Sequence, residues 1–133
     1  MKEIVTYLNF DGEAKEAMTF YAQCLGGELF VMPVGEGQGG PGRVMHANLT
    51  RGGKSLLMAS DCPPGMPLQV GNNYHVSVHC ESMEEIQRLF VGLGEGGAVQ
   101  FPLQDTFWGA HFGMLQDRFG IHWMFNYELP QPA

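Results

Sequence analysis

A chain of 133 residues has room for one sizeable core and not for two ordinary domains, so a single compact domain over residues 1–133 is expected. Apolar residues make up 44% and charged residues 16%, a balance that excludes a disordered chain. Fourteen acidic against seven basic side chains leave a formal charge of -7, which repels phosphate backbones and anionic lipid, so neither nucleic acid nor membrane is expected as a partner.

No stretch approaches the roughly 20 apolar residues that cross a bilayer. The opening Met1-Lys2-Glu3-Ile4-Val5-Thr6-Tyr7 lacks a secretion signal's apolar run and small-residue cleavage site, which makes the cytoplasm the expected location. Cys24, Cys62 and Cys80 are odd in number, widely spaced and without a CxxC pair. Neither a disulfide framework nor a four-cysteine zinc site is signalled, and reduced, partly buried thiols are expected.

In chain order, an extended Val5–Phe10 leads into a segment where Ala14, Ala17, Met18, Tyr21, Ala22 and Leu25 recur at helical spacing, ended by Gly26-Gly27. Three extended segments follow, Glu28–Pro33, Arg43–Thr50 and Ser55–Ser60, with Gly52-Gly53 as a tight hairpin turn between the last two. Between the first two lies Gly35-Glu36-Gly37-Gln38-Gly39-Gly40, which formally fits GxGxxG. It runs through Pro41-Gly42-Arg43 into an alternating strand rather than a helix, and so reads as a strand-to-strand connection. Pro63-Pro64-Gly65-Met66-Pro67 and Gly71 mark a linker.

The same order then recurs about seventy residues on. Tyr74–Cys80 is extended, Ser82 and Glu85 form a capping box, and Met83, Ile86, Phe90 and Leu93 make an apolar stripe stopped by Gly94–Gly97. Ala98–Leu103, Trp108–Gln116 and Ile121–Tyr127 are extended, with Asp117–Gly120 as the turn between the last two. The expected fold is α+β, with two tandem β-α-β-β-β modules at residues 1–62 and 72–128 forming open mixed sheets around a groove, because one helix covers only one face of each sheet.

Alternation assigns the faces. Met45, Ala47 and Leu49 are expected under the first helix, turning Val44, His46, Asn48 and Thr50 to the groove. Asn73, His75 and Ser77, and likewise His122, Met124 and Asn126, are expected to face inward. These are neutral hydrogen-bonding groups without a nucleophile or paired carboxylates, which favours binding. Gln104-Asp105-Thr106-Phe107-Trp108 either gives a small ligand polar and aromatic contacts, or fixes a turn while Phe107 and Trp108 pack in the core. Asp117 and Arg118 read as a turn ion pair. An acid–base pair of His46 or His75 with Asp61 or Asp105 stands as an alternative.

The paired module order, with Tyr7-Leu8-Asn9-Phe10, Phe20-Tyr21, Gly26-Gly27, Met58-Ala59-Ser60-Asp61, Pro102–Gly109, Phe112-Gly113-Met114 and Asp117-Arg118-Phe119-Gly120 to Trp123 and Asn126, resembles the vicinal oxygen chelate superfamily of glyoxalase I, extradiol dioxygenases and bleomycin and fosfomycin resistance proteins. More specifically it is similar to the PhnB-like branch, whose members are often labelled demethylubiquinone methyltransferases. A glycine-rich turn opening a helix, as a methyltransferase of that kind would need, is not found.

The superfamily metal is held by four strand positions. In this chain they fall among Ile4 to Tyr7, at Leu57 or Met58, at Asn73 with His75 nearby, and at Met124, so the resemblance leaves at most one donor. His75 and His79 stand about 13 Å apart along one strand, too far to share an ion. A rearranged site drawn from His46, His75, His111 and His122 is the alternative. No metal and no cofactor are therefore expected. The expected function is metal-independent binding of a small molecule through His46, His75, Gln104, Trp108, His122 and Asn126. The resemblance also implies a homodimer, and leaves as alternatives a metal-dependent lyase, isomerase or dioxygenase of the glyoxalase type and a drug-sequestering resistance protein.

Overall fold

The computed structural model describes residues 1–34, 42–63 and 65–131; the glycine-rich Gly35–Gly40 run and Pro64 of the expected linker lie outside them. The chain divides into two compact units, Met1–Gln69 and Val70–Ala133. In the first, β1 (Tyr7–Phe10) leads to α1 (Ala14–Leu25), then β2 (Glu28–Pro33), β3 (Val44–Arg51) and β4 (Lys54–Asp61). The sheet order is β1-β4-β3-β2, with β1 parallel to β4 and the other pairs antiparallel. The second unit repeats the plan with β5 (Val76–His79), α2 (Met83–Leu93), β6 (Ala98–Asp105), β7 (Ala110–Gln116) and β8 (His122–Glu128) in the order β5-β8-β7-β6. The fold is α+β, built from two β-α-β-β-β modules.

Each helix buries its apolar stripe on one face of its own sheet. Ala14, Ala17, Met18 and Tyr21 of α1 are buried with Ala47 and Leu49 of β3 and Leu57 and Ala59 of β4. Ile86, Leu89, Phe90 and Leu93 of α2 are buried with Leu115, Trp123 and Phe125. Gly113 permits this second packing, because a Cβ there would stand 2.8 Å from Phe90 Cε2 and 2.9 Å from Leu103 Cδ2.

The two helices start differently. Ser82 Oγ accepts from the Glu85 backbone N–H (3.0 Å), and the Glu85 carboxylate accepts from the N–H of Glu81 (2.9 Å), a capping box displaced by one residue on its return bond. At α1, Glu13 makes no side-chain cap. Asp61, at the far end of β4, accepts instead from the N–H groups of Gly12 (2.7 Å) and Ala14 (3.1 Å) through Oδ1, and from Val44 (2.7 Å) through Oδ2. Buried Asp117 does comparable work in the second unit. It accepts from Phe119 N–H (2.8 Å), Ile121 N–H (3.0 Å) and the indole N–H of Trp123 (2.8 Å), so it anchors the β7–β8 turn, a larger role than the expected turn ion pair.

Three expectations are corrected. Met32 pairs with His46 but Pro33 pairs with Val44, so Met45 is an extra residue in β3. The bulge exchanges the assigned faces: Val44 is buried and Met45 is exposed. Next, β5 begins at Val76, leaving Asn73 and His75 ahead of the strand. Finally, Trp108 lies in a turn rather than in β7. Thr106 N–H and Oγ1–H both donate to the carbonyl of Ala110 (2.8 and 2.9 Å), closing the chain around Gly109 at φ +87°.

Gly27 and Gly97 occupy matching places at the entry to each module's second strand. A Cβ at Gly27 would run into the Thr50 carbonyl oxygen, and one at Gly97 into that of Gln116. Asp117→Ala strands three buried or half-buried donors and is expected to lower unfolding free energy by about 3 kcal/mol or more, while Asp117→Asn, which keeps one acceptor oxygen, loses less. Urea denaturation followed by Trp fluorescence reads both.

Candidate functional site

The face of the second sheet opposite α2 gathers most of the polar residues singled out from sequence. Trp123 and Phe125 point into the core, so His122, Met124 and Asn126 stand on the other face, beside Gln116, Met114 and Phe112 of β7 and Ser77 and His79 of β5. At one end His122 is buried at 4% exposure. Its Nδ1 accepts from Gln100 Nε2–H (2.9 Å), and the Gln100 carbonyl accepts from His75 Nε2–H (3.4 Å). The His75 and His122 rings meet edge to face at 5.9 Å, and Tyr74 packs on His122 at 5.5 Å while its hydroxyl oxygen accepts the His122 backbone N–H (3.4 Å). Burial pushes the Tyr74 phenol above the usual tyrosine range, so it stays protonated.

At the other end the face is aromatic. Phe112 touches Phe101 (5.7 Å) and Trp108 (5.6 Å), and Trp108 meets Phe107 (5.1 Å) in successive edge-to-face contacts. Phe107 is 97% and Trp108 54% exposed, so the core-packing reading of this loop is overturned and an aromatic surface is presented instead. Thr106 holds the turn, and Asp105 pairs with His111 Nδ1 at 2.8 Å.

In the first unit the face opposite α1 carries Tyr7 and Asn9, Phe30 and Met32, His46 and Asn48, and Met58 and Ser60. Tyr7 stacks on His46 at 5.8 Å with its hydroxyl 3.2 Å from Nδ1. Asn48 Oδ1 is shielded from water and has no hydrogen-bond partner among the described residues. Elsewhere in this unit a cavity of about 480 Å³ is lined by Asp11, Arg43, Cys62, Met66, Pro67 and Leu68, with Arg43 donating to Asp11 (3.0 Å) and to the Cys62 carbonyl (2.9 Å).

His122 and Asn126 thus share one sheet face, His75 joins it from just ahead of β5 through its contacts with Gln100 and His122, Trp108 rims it, and His46 belongs to the first unit. Gln104 folds back, donating to the carbonyl of Pro102 (3.2 Å). Neither proposed acid–base carboxylate meets its partner: Asp61 accepts three backbone N–H groups, and Asp105 holds His111. Gln100 was not singled out from sequence. It stands where the β6–β7 register shifts between Val99 and Phe101, and only that register reveals its reach.

The sequence profile described as 3-demethylubiquinone-9 3-methyltransferase matches residues 2–125. The chain belongs to that family. It is 43% identical to protein PA1353 from Pseudomonas aeruginosa, whose crystal structure superposes with a TM-score of 0.86 over 98% of this chain and 100% of the other. It is 31% identical to the PhnB protein from Bacillus cereus, at a TM-score of 0.81 over 95% and 99% of the two chains. A glyoxalase/bleomycin resistance protein/dioxygenase family enzyme from Burkholderia phytofirmans shares the fold at 16% identity, with a TM-score of 0.64 over 93% and 98%. The PhnB-like resemblance and the glyoxalase-type fold are both established.

The groups implied by the family's description and fold fit this PhnB-like chain poorly. Each helix follows its strand through a short connection, Asp11-Gly12-Glu13 or Cys80-Glu81-Ser82, and neither is the glycine-rich turn that would let backbone amides approach S-adenosylmethionine. The glycine-rich run is followed by β3 and not by a helix. For a divalent ion, the donor types are wrong at three of the four strand positions that the family resemblance names, and only His75, beside Asn73, could serve at the fourth. Tyr7, Met58 and Met124 bring a phenol and thioethers, and among the described residues no three His, Cys, Asp or Glu side chains converge. No helix among the described residues is long and apolar enough to cross a membrane.

Cys80 precedes α2 and is buried, and that burial pushes its thiol up to about 11. Its protonated form rules it out as a nucleophile at neutral pH. In the unfolded chain the same thiol ionises near 9.0, so between about pH 9 and pH 11 the folded state holds a proton that the unfolded state has lost. Stability is therefore expected to fall across that window. Chemical denaturation at several pH values should show a shallower fall for Cys80→Ala than for the unsubstituted protein.

Proposed function

We propose that this PhnB-like protein binds a small, uncharged, largely planar molecule on the helix-free face of its second sheet, without help from a metal ion. The observation that carries this reading is the composition of that face. His75, Gln100 and His122 make a hydrogen-bonding end, Phe112 and Trp108 an aromatic end, and Phe101, Met114 and Met124 lie between them. The two ends are separated by four residues of strand, about 13 Å, the span of a two-ring compound. Aromatic area supplies affinity and the few polar groups supply orientation, as in small-molecule sites generally. His75, Trp108, His122 and Asn126 keep the binding role expected of them, Gln100 and Phe112 join them, and His46 with Tyr7 serves the matching face of the first unit.

Binding is favoured over chemistry because the face holds neither an activated nucleophile nor paired carboxylates, and its histidines bond to the Gln100 amide (His75 and His122) or the Ser77 hydroxyl (His79) rather than to a carboxylate. Protein dialysed against chelator is the right material for a thermal-shift screen of aromatic, phosphonate and dicarbonyl compounds. Aromatic compounds are expected to raise the melting temperature equally with and without chelator, and Phe112→Ala to weaken the best of them by about tenfold. A full equivalent of divalent metal per chain by elemental analysis, lost on His75→Ala, would remove this reading in favour of a metal enzyme.

A further inference from the structure

We infer that Gln100 is a positioning residue that locks His75 and His122 into matching tautomers, so that the pair presents one donor and one acceptor and selects a lactam-type edge over a carboxylate. The ligand part rests on the binding reading above; the tautomer part rests on the bridge alone.

A carboxamide has one donating nitrogen and one accepting oxygen, and a neutral imidazole carries one proton on one of its two nitrogens. Gln100 meets the two rings through differently placed nitrogens, Nδ1 of His122 (2.9 Å) and Nε2 of His75 (3.4 Å). With the amide nitrogen toward His122, that ring must leave Nδ1 bare and carry its proton on Nε2. The amide oxygen then requires Nε2–H on His75. Reversing the amide moves both protons to Nδ1. In either orientation both rings are protonated at the same-named nitrogen, and the mixed combinations leave two donors or two acceptors facing each other.

The nitrogens turned away from Gln100 are one bare and one protonated, so the pair offers exchange-matched partners to a group carrying an acceptor and a donor side by side. A lactam has both, C=O and N–H, and is planar. A carboxylate has acceptors only, so it meets one of the two nitrogens unfavourably and must shed its hydration in addition. The edge-to-face contact of the rings and the burial of His122 restrain the arrangement, and the aromatic end of the face suits a flat ring system.

The test uses the full chain with nitrogen-15 in its histidines, and two-bond proton–nitrogen spectra at alkaline pH. His75 and His122 are expected to show the same tautomer, Nε2–H for the amide orientation of this structure. In Gln100→Glu the carboxylate accepts from both rings, and one ring, and only one, is expected to change tautomer. Folding losses do not imitate that signature, and Gln100→Leu, which removes the bridge without adding charge, is expected to give averaged tautomers at both rings. Unlike tautomers in the unsubstituted protein, or an unchanged pair in Gln100→Glu, would overturn the lock.

For the ligand part, chemical-shift titrations compare 2-quinolone with 2-naphthoate. The quinolone is expected to bind about tenfold more tightly, and to lose about that factor in Gln100→Glu. Equal binding of the two probes overturns the selectivity. If neither binds while the tautomers match, the ligand part is overturned, and the compound screen decides separately whether the face binds anything at all.

Discussion

One helix per four-stranded sheet is the constraint from which the rest of each unit follows. A helix covers a single face, so every strand must sort its residues by parity, apolar toward the helix and anything else away from it. On the covered side the sorting is strict: Ala47, Leu49, Leu57 and Ala59 in the first unit and Leu115, Trp123 and Phe125 in the second are essentially inaccessible to water. Each large side chain buried this way contributes about 1.5–3 kcal/mol. The other face is released from that demand, which is why histidine, asparagine, glutamine and exposed aromatics collect there.

The seams that helices and sheets leave open are closed by two buried carboxylates. Asp61 supplies the N-terminal cap that α1 lacks and also pins the start of β3; Asp117 pins a turn and the indole of Trp123. Both use charge-assisted bonds to N–H donors, the stronger kind. They do not occupy equivalent places in the two modules, so the duplicated architecture has found the same chemical remedy at different weak points.

What was legible in the sequence were features decided within a dozen residues: both helices, the Gly52-Gly53 hairpin, in which each glycine takes a positive φ (+59° and +80°), the Ser82 cap, and from these the paired module order. The features that escaped are set by partners far along the chain. Strict alternation misplaced Val44 and Met45 because the bulge is defined only by β2 across the ladder. Asp61 looked like a reactive acid because its donors at Gly12 and Ala14 are almost fifty residues away. Gln100 gave no signal at all, since an amide in a strand acquires meaning only from the two rings it reaches.

The register of β3 separates a fixed centre from adjustable ends. Its irregularities sit toward its two ends, at Met45 against β2 and between Leu49 and Thr50 against β4, while the stretch from Ala47 to Leu49 pairs regularly with both neighbours. Length changes near the loops have somewhere to be absorbed, and the centre of the strand keeps its phase. Drift at His46 and Asn48 can then remodel the open face of the first unit while Ala47 and Leu49 go on holding its interior, so a module of this kind can change its surface without refolding.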